Sequence, residues 1–411
     1  MLWRLPEDNL SKKQAQSALR IAKEIFDSGY PTYLVGGGVR DSLLGIPSPD
    51  MDLCTSCPAD KIVNLFPNAE PWGLQKYSVF RIKTEIGYIE IAHFREERNC
   101  DGRHCEVNLV GDLERDIYRR DFTVNALAVD PNSMEMIDMV GGLLDVSAKI
   151  IRTIGDAERR FAEDKLRLLR AIRFAGKLDF EFAEDTYGAI NQQAKSITEL
   201  SWERIREELH RIFTGNLPNR GLNLLNTTGL WNHIFPELGY SFESHAWKRK
   251  LVNVARLSNL DFNCNYLWAM IIVPENNLEK KDIENTKAIV SRFKFDRKSS
   301  KEINGIVRKL YYTENYQVLD SKEILDLIDS KEYHKILKLH RLRNPESNLQ
   351  TIISRKFPRI GTEPFLKREE LKKILESINS AKIAEKLRNL RIMELSGEIN
   401  SPTEAKKYLF R

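Results

Sequence analysis

The chain has 411 residues, 42% hydrophobic and 30% charged, enough for two or three domains with cores of their own. No apolar run approaches the roughly eighteen residues of a membrane span. The N-terminus "MLWRLPEDNLSKKQ" has no apolar signal region and carries Glu7 and Asp8 early, so the chain reads as cytoplasmic.

Five cysteines, an odd number, argue against a disulfide scaffold. Cys54, Cys57, Cys100 and Cys105 have a spacing that could make a four-thiolate zinc site. The bland reading is preferred, because Cys54 falls inside a candidate strand and Cys57 just beyond it. The net charge of +5 is uneven: residues 331–411 carry close to two basic residues per acidic one, on a mildly acidic remainder. A basic C-terminal end suggests a bound polyanion or, equally, an ordinary solvated helical surface.

In chain order, "SKKQAQSALRIAKEIFDSGY" predicts an amphipathic helix. Ser11 is its expected N-cap, Leu19, Ala22, Ile25 and Phe26 its apolar face, and Gly29 its stop. "PTYLVGG" predicts a buried strand running into glycines, and "MDLCT" a second strand. "SVFRIK" and "YIEIAHF" predict a hairpin, and "REERNCDGRHCEVNLVGD" a polar loop. "TVNALAVD" and "MEMIDM" predict another strand pair. After Gly155, "DAERRFAEDKLRLLRAIRFAGKL" reads as one helix, and nearly all of the remaining chain is helical. The expected fold class is α+β: a mixed-sheet head over 1–150, a helical neck over 151–215, and a helical body and tail over 216–411.

The stretch "LVGGGVRDSLLGIPSPDMDLCT" carries the chemistry. A dinucleotide fingerprint fails, because the third glycine position is Asp41. A Walker loop fails, because no lysine follows. What fits is a turn at Gly36, Gly37 and Gly38 that lets backbone approach a triphosphate, with Arg40 as a fixed cation. On a strand, Asp50 and Asp52 point to one face while Met51 and Leu53 point to the core. Two carboxylates about 6–7 Å apart can bracket two magnesium ions for an in-line phosphoryl displacement. Glu90, which alternates with Ile89 and Ile91, is the candidate third carboxylate.

This stretch resembles the active-site signature of the class II tRNA nucleotidyltransferase and bacterial poly(A) polymerase family, which are polymerase-β-like nucleotidyltransferases. The resemblance continues through "RRDFTVNALAVD", "GLLDVSAKIIRTIGD", "RRFAEDKLRLLRAIRFA" and "ERIREELHRI", covering roughly residues 30–215 in the family's order. It implies template-independent addition of CCA to the 3′ end of tRNA from CTP and ATP, with Mg²⁺ (two ions) on Asp50 and Asp52.

The E-D-x-x-R of Glu163 to Arg167 resembles the family's amino-acid template. If Asp164 accepts from the amino group of cytosine or adenine and Arg167 donates to the ring nitrogen, guanine and uracil are refused. Taken from spacing alone, the pair reads rather as an i, i+3 surface salt bridge. The resemblance implies nucleotide contacts for Arg170 and Arg173 on the same stripe, and for Arg120 and Asp121, with Asn125 helping to order the sugar. Asp121 could otherwise partner an arginine.

Within the family, Asp101-Gly102-Arg103-His104 resembles the flexible loop of complete CCA-adding enzymes, with Cys105 where proline is usual. "WGLQKYSVF", with Gln75 and Tyr77, departs from the poly(A) polymerase pattern. CC-only addition, A-only addition and poly(A) synthesis remain alternatives, as does a catalytically silent RNA-binding protein. The expected partners are the acceptor stem and elbow of tRNA, with no membrane and no protein partner implied. The chain has no His-Asp dipeptide, so no appended metal phosphohydrolase is expected.

Overall fold

Asp8, not Ser11, caps the first helix. In the computed structural model its carboxylate accepts from the Ser11 backbone N–H at 2.9 Å, and α1 runs Asn9–Asp27. Ser11 is instead buried and its Oγ accepts from the Ser48 N–H at 2.8 Å. The core-facing stripe is Ala15, Ala18, Ile21, Ala22 and Ile25, one position off the expected face for Leu19 and Phe26. The structure describes the chain apart from residues 75–76, 101–105, 239–243, 261, 368, 372–373, 375–382 and 411.

The head is a seven-stranded mixed sheet. Its strands are β1 (Thr32–Val35), β2 (Asp52–Thr55), β3 (Glu70–Pro71), β4 (Val79–Lys83), β5 (Tyr88–His93), β8 (Ala128–Val129) and β9 (Met136–Ile137), in the order β3-β4-β5-β2-β1-β8-β9. The pair β2–β5 is parallel and the others are antiparallel. Val35, Cys54, Phe94, Ile117, Ala126 and Ala128 pack one face into a core. Cys54 and Cys57 are free and buried, and burial holds the Cys54 thiol well above its usual range.

The described residues of the segment read as a polar loop include two strands. Strands β6 (Arg95–Arg98) and β7 (Glu106–Leu109) form a separate antiparallel hairpin. All four residues of β6 are charged, and β7, with Val107 and Leu109 as its only apolar residues, is too short a run to announce a strand. The expected flexible-loop residues Asp101, Gly102, Arg103 and His104 lie outside the described residues.

The long helix expected after Gly155 is two. Helix α6 spans Ala157–Glu163 and α7 spans Leu166–Leu178. At Asp164 the backbone is extended (φ −147°, ψ 104°), and its carboxylate accepts from the Leu166 N–H at 3.1 Å. A short acidic side chain that bonds its own backbone two residues on competes with helix continuation. Helices α9 (Trp202–Phe213) and α10 (Pro218–Thr227) pack on α7. A Cβ on Gly176 would lie 3.2 Å from the Gly221 Cα, so glycine permits this close crossing.

The chain divides into two compact units, Met1–Ile234 and Phe235–Arg411. The division falls beyond the expected neck boundary at 215, because α10 packs against the neck helices α7 and α9. The second unit is helical, its core including Trp247, Trp268, Phe293 and Leu310. Among the described residues no helix is long and apolar enough to cross a membrane.

Candidate active site

A cleft of about 520 Å³ opens in the first unit, lined by Gly36, Gly37, Arg40, Asp52, Glu90, Glu97, Arg119, Arg120, Asp121, Asn125, Asp164, Arg167 and Arg170. The structure thus brings most of the sequence-predicted residues around one space. Asp50 stands exposed two residues before β2, not on the strand expected for it and outside this lining, and Arg173 lies one helical turn beyond it.

The three glycines have separate tasks. Gly36 takes a left-handed φ of +83° as the cap of the helix over Gly37–Leu43. A Cβ there would stand 3.5 Å from Asp52 Oδ2. Gly37 opens that helix and faces the cleft. A Cβ on Gly38 would meet the Asp50 carbonyl oxygen at 2.2 Å and Met51 Sδ at 2.7 Å. Glycine at 38 therefore lets the helix lie directly against the backbone that carries the first aspartate.

Met51 and Leu53 are 1% exposed, as the alternation predicted, and Asp52 looks into the cleft. In the β2–β5 ladder Asp52 sits opposite Glu90. Burial, then Asp50, then Glu90, push the Asp52 carboxyl up to about 7; Arg120 opposes them. Burial and Asp50 likewise raise Glu90. Negative charge is gathered here in excess of its local cations, and the donors are hard oxygens, which suits a divalent ion such as Mg²⁺. Among the described residues no set of three or more His, Cys, Asp and Glu closes into a metal cage.

Asp116, missed in the sequence reading, organises the arginines. It is fully buried and accepts from Arg119 Nη2 at 2.7 Å and Arg120 Nη2 at 2.8 Å, and those cations hold its carboxyl below the usual range. Its position three and four residues before them, on one helix face, was the available signal. Arg120 is thereby aimed between Gly36 and Asp52. Arg40 is not a free cation. It is 1% exposed, is paired with Asp41 at 2.5 Å and donates to Asn125 Oδ1. Lys177 holds the other Asp41 oxygen at 3.1 Å.

Asp121 accepts from Arg170 at 2.7 and 2.5 Å, from Asn125 Nδ2 at 3.1 Å and from the Phe122 N–H at 2.9 Å. Despite burial, Arg170 and these donors hold its carboxyl down to about 2. The partner reading for Asp121 therefore describes its contacts. Arg173 donates to Glu208 Oε2 at 2.8 Å and lies 4.2 Å from the Phe174 ring centroid.

Asp164 and Arg167 both reach the cleft, but not from one helix face, since the chain breaks between α6 and α7. Arg167 is 5% exposed and donates to Glu163 at 3.1 Å and to the Arg160 carbonyl at 2.9 Å. Asp164 stands 3.5 Å from Arg204. Two further residues went unnoticed in the sequence. Arg160 pairs with Glu163 and donates to the carbonyls of Arg119 and Arg120 at 2.7 and 2.6 Å. Glu97, on the unforeseen hairpin, lies 3.7 Å from Arg119 and 3.8 Å from Arg167.

Residues 32–152 match a family model described as the poly A polymerase head domain. Residues 179–241 match one described as "Probable RNA and SrmB- binding site of polymerase A". A CCA-adding enzyme of Lactococcus lactis subsp. cremoris (strain MG1363) is 34% identical over 325 residues, 77% of this chain and 75% of that protein. The crystal structure of Bacillus stearothermophilus CCA-adding enzyme in complex with CTP aligns at a TM-score of 0.72 and 26% identity, covering 97% of both chains. A Thermotoga maritima CCA-adding enzyme complexed with tRNA-CCA shares the fold at a TM-score of 0.70 and 22% identity, covering 100% of this chain and 99% of that one.

Proposed function

Because this chain belongs to the family of CCA-adding enzymes, we propose that it adds CCA to the 3′ end of tRNA from CTP and ATP, without a nucleic-acid template. The observation that carries this reading is a single cleft with Asp52 opposite Glu90 on its floor and Asp164 and Arg167 on its wall. One cleft can then hold both the reacting phosphate and the base being chosen.

The RNA 3′-hydroxyl attacks the α-phosphate of the bound nucleotide, and pyrophosphate leaves. Asp50 and Asp52 would hold Mg²⁺, two ions in our reading, with Glu90 beside them. When bound, such ions neutralise charge on the attacking and leaving oxygens. Gly36 and Gly37 admit the triphosphate close to backbone, and Arg120 adds a cation between Gly36 and Asp52. Arg40 acts one layer below, orienting Asn125 toward the sugar. Arg170, locked to Asp121, closes the nucleotide side.

Asp164 would accept from the exocyclic amino group and Arg167 would donate to the ring nitrogen. The Arg167 donors rest on Glu163 and the Arg160 carbonyl, so the base meets a group already oriented. Cytosine and adenine satisfy both groups; guanine and uracil leave a buried charged group unpaired, at about 10²-fold per wrong contact. Residues 1–150 would carry the transfer chemistry, 151–215 base selection, and the helical remainder the tRNA acceptor stem and elbow. A cytoplasmic location with no membrane partner goes with this reading.

The test is incubation with tRNA transcripts ending before CCA, after the first C and after CC, with labelled CTP or ATP and Mg²⁺. Completed CCA ends on all three support the reading. CC-only products, A-only products, long A tails or no incorporation would each overturn it.

A further inference from the structure

Beyond Glu90 the sheet carries a stack of side chains that nucleotide binding does not use. Strand β2 lies between β1, which leads into the glycine turn, and the run β5-β4-β3. Asp52 is opposite Glu90, Glu90 opposite Arg81, and Arg81 opposite Glu70. Cross-strand partners project from the same face, so one row runs from the catalytic aspartate to the sheet edge. On that row Arg81 is sandwiched, its guanidinium 3.8 Å from the Trp72 ring centroid and 4.4 Å from that of Tyr88. Glu70 fixes it from the side at 3.1 Å. The Trp72 side chain also hydrogen-bonds Glu90. Even so, Trp72 is 45% exposed and Tyr88 42%.

Two large rings held around a cation and left open to water form a platform. The reaction says what must arrive there. In an in-line displacement the attacking oxygen and the leaving pyrophosphate lie on opposite sides of the α-phosphate. Gly36, Gly37 and Arg120 take the triphosphate on the β1 side. The 3′-hydroxyl therefore enters from the β5-β4-β3 side, across Glu90. An unpaired RNA end offers flat bases, for which aromatic faces are sequence-tolerant seats, and a phosphate that a fixed guanidinium attracts.

We propose that Trp72, Arg81 and Tyr88 form the seat of the unpaired 3′-terminal nucleotides of the acceptor RNA. The proposal rests on the nucleotidyl-transfer reading above. Trp72 and Tyr88 stack on the bases as the end grows, and Arg81 holds the rings apart and meets the backbone phosphate.

The test uses the full-length protein and transcripts ending before CCA and after CC. Trp72→Ala should raise KM for the transcript about tenfold to a hundredfold, with KM for CTP within about twofold. Tyr88→Ala should act in the same direction and more weakly. Trp72→Phe keeps a ring and removes the N–H to Glu90, and should retain near-wild-type KM for RNA. A 2-aminopurine at the transcript's 3′ end should be quenched by the wild-type protein and not by Trp72→Ala. An unchanged RNA KM in Trp72→Ala overturns the proposal. So does a Trp72→Phe variant as impaired as Trp72→Ala, which would make Trp72 a support for Glu90 only. Failure of the wild-type protein to incorporate any nucleotide overturns the reaction itself, a separate result.

Discussion

Asp52 and Glu90 face each other across the parallel β2–β5 ladder, and after burial and Asp50 it is Glu90 that makes Asp52 harder to ionise. The Asp52 carboxyl is pushed up to about 7 from an ordinary 3.8, so its charged form is a cost to the folded protein without a cation. Linkage sets the sign. Between these values the native state binds more protons than the unfolded chain, and stability falls as pH rises.

Asp52→Asn should therefore unfold at a higher temperature than wild type at pH 8 in EDTA, by on the order of 2 kcal/mol, with the difference gone below pH 4. Mg²⁺ with nucleotide should raise the wild-type Tm and leave that of Asp52→Asn nearly unmoved. Catalysis by the variant should fall at least about 10³-fold. A variant no more stable than wild type at pH 8 would remove the charge-crowding argument. In the wild type, kcat/KM should climb with pH toward about 7 at limiting Mg²⁺, and the climb should move to lower pH as Mg²⁺ saturates.

Asp164→Ala should relax base choice. We expect the ratio of kcat/KM for CTP over UTP to fall about 10²-fold, measured with a transcript ending before CCA. Preserved selectivity would move the templating role elsewhere in the cleft.

Asp121 has the opposite sign to Asp52. Its carboxyl is held down to about 2, so its pairing with Arg170 stabilises the protein fully above 3.8 and is lost as pH falls from 3.8 toward 2. Asp121→Asn should cost about 2 kcal/mol at pH 7 in urea unfolding and flatten the acid limb of the stability curve in that window. Equal losses at pH 7 and pH 2 would point to packing rather than charge.

Gly38→Ala tests the close approach behind the aspartates. The added Cβ would need the Asp50 carbonyl to retreat from 2.2 Å, dragging both carboxylates. Activity should drop at least about 10²-fold, while Gly45→Ala, with nothing within 4 Å, should cost only backbone strain at its φ of +65°.

Reading the sequence reached unevenly into the site. The alternation Met51-Asp52-Leu53 announced Asp52 in the cleft between two buried neighbours, because a strand with one buried face writes its geometry into the residue order, whereas Asp50 falls before the strand and outside the lining. The hairpin carrying Glu97 left no such trace, as its strands bury little. The break at Asp164 was hidden inside a strong helical pattern, because apolar spacing reports which face is buried and not whether the axis is continuous.

What the sequence alone marked out was the glycine turn, the paired aspartates and, through the family resemblance, the downstream E-D-x-x-R. These are local patterns, fixed by spacing along the chain. Only the tertiary structure decided which charges are free to meet a substrate. Arg40, Arg173 and Asp121 look in sequence like ligands for a nucleotide, yet each is paired, with Asp41, Glu208 and Arg170 respectively. Partners as far apart as 35 and 49 residues meet only when the chain packs. A buried charge must be neutralised nearby, and that requirement leaves no periodic mark in the sequence.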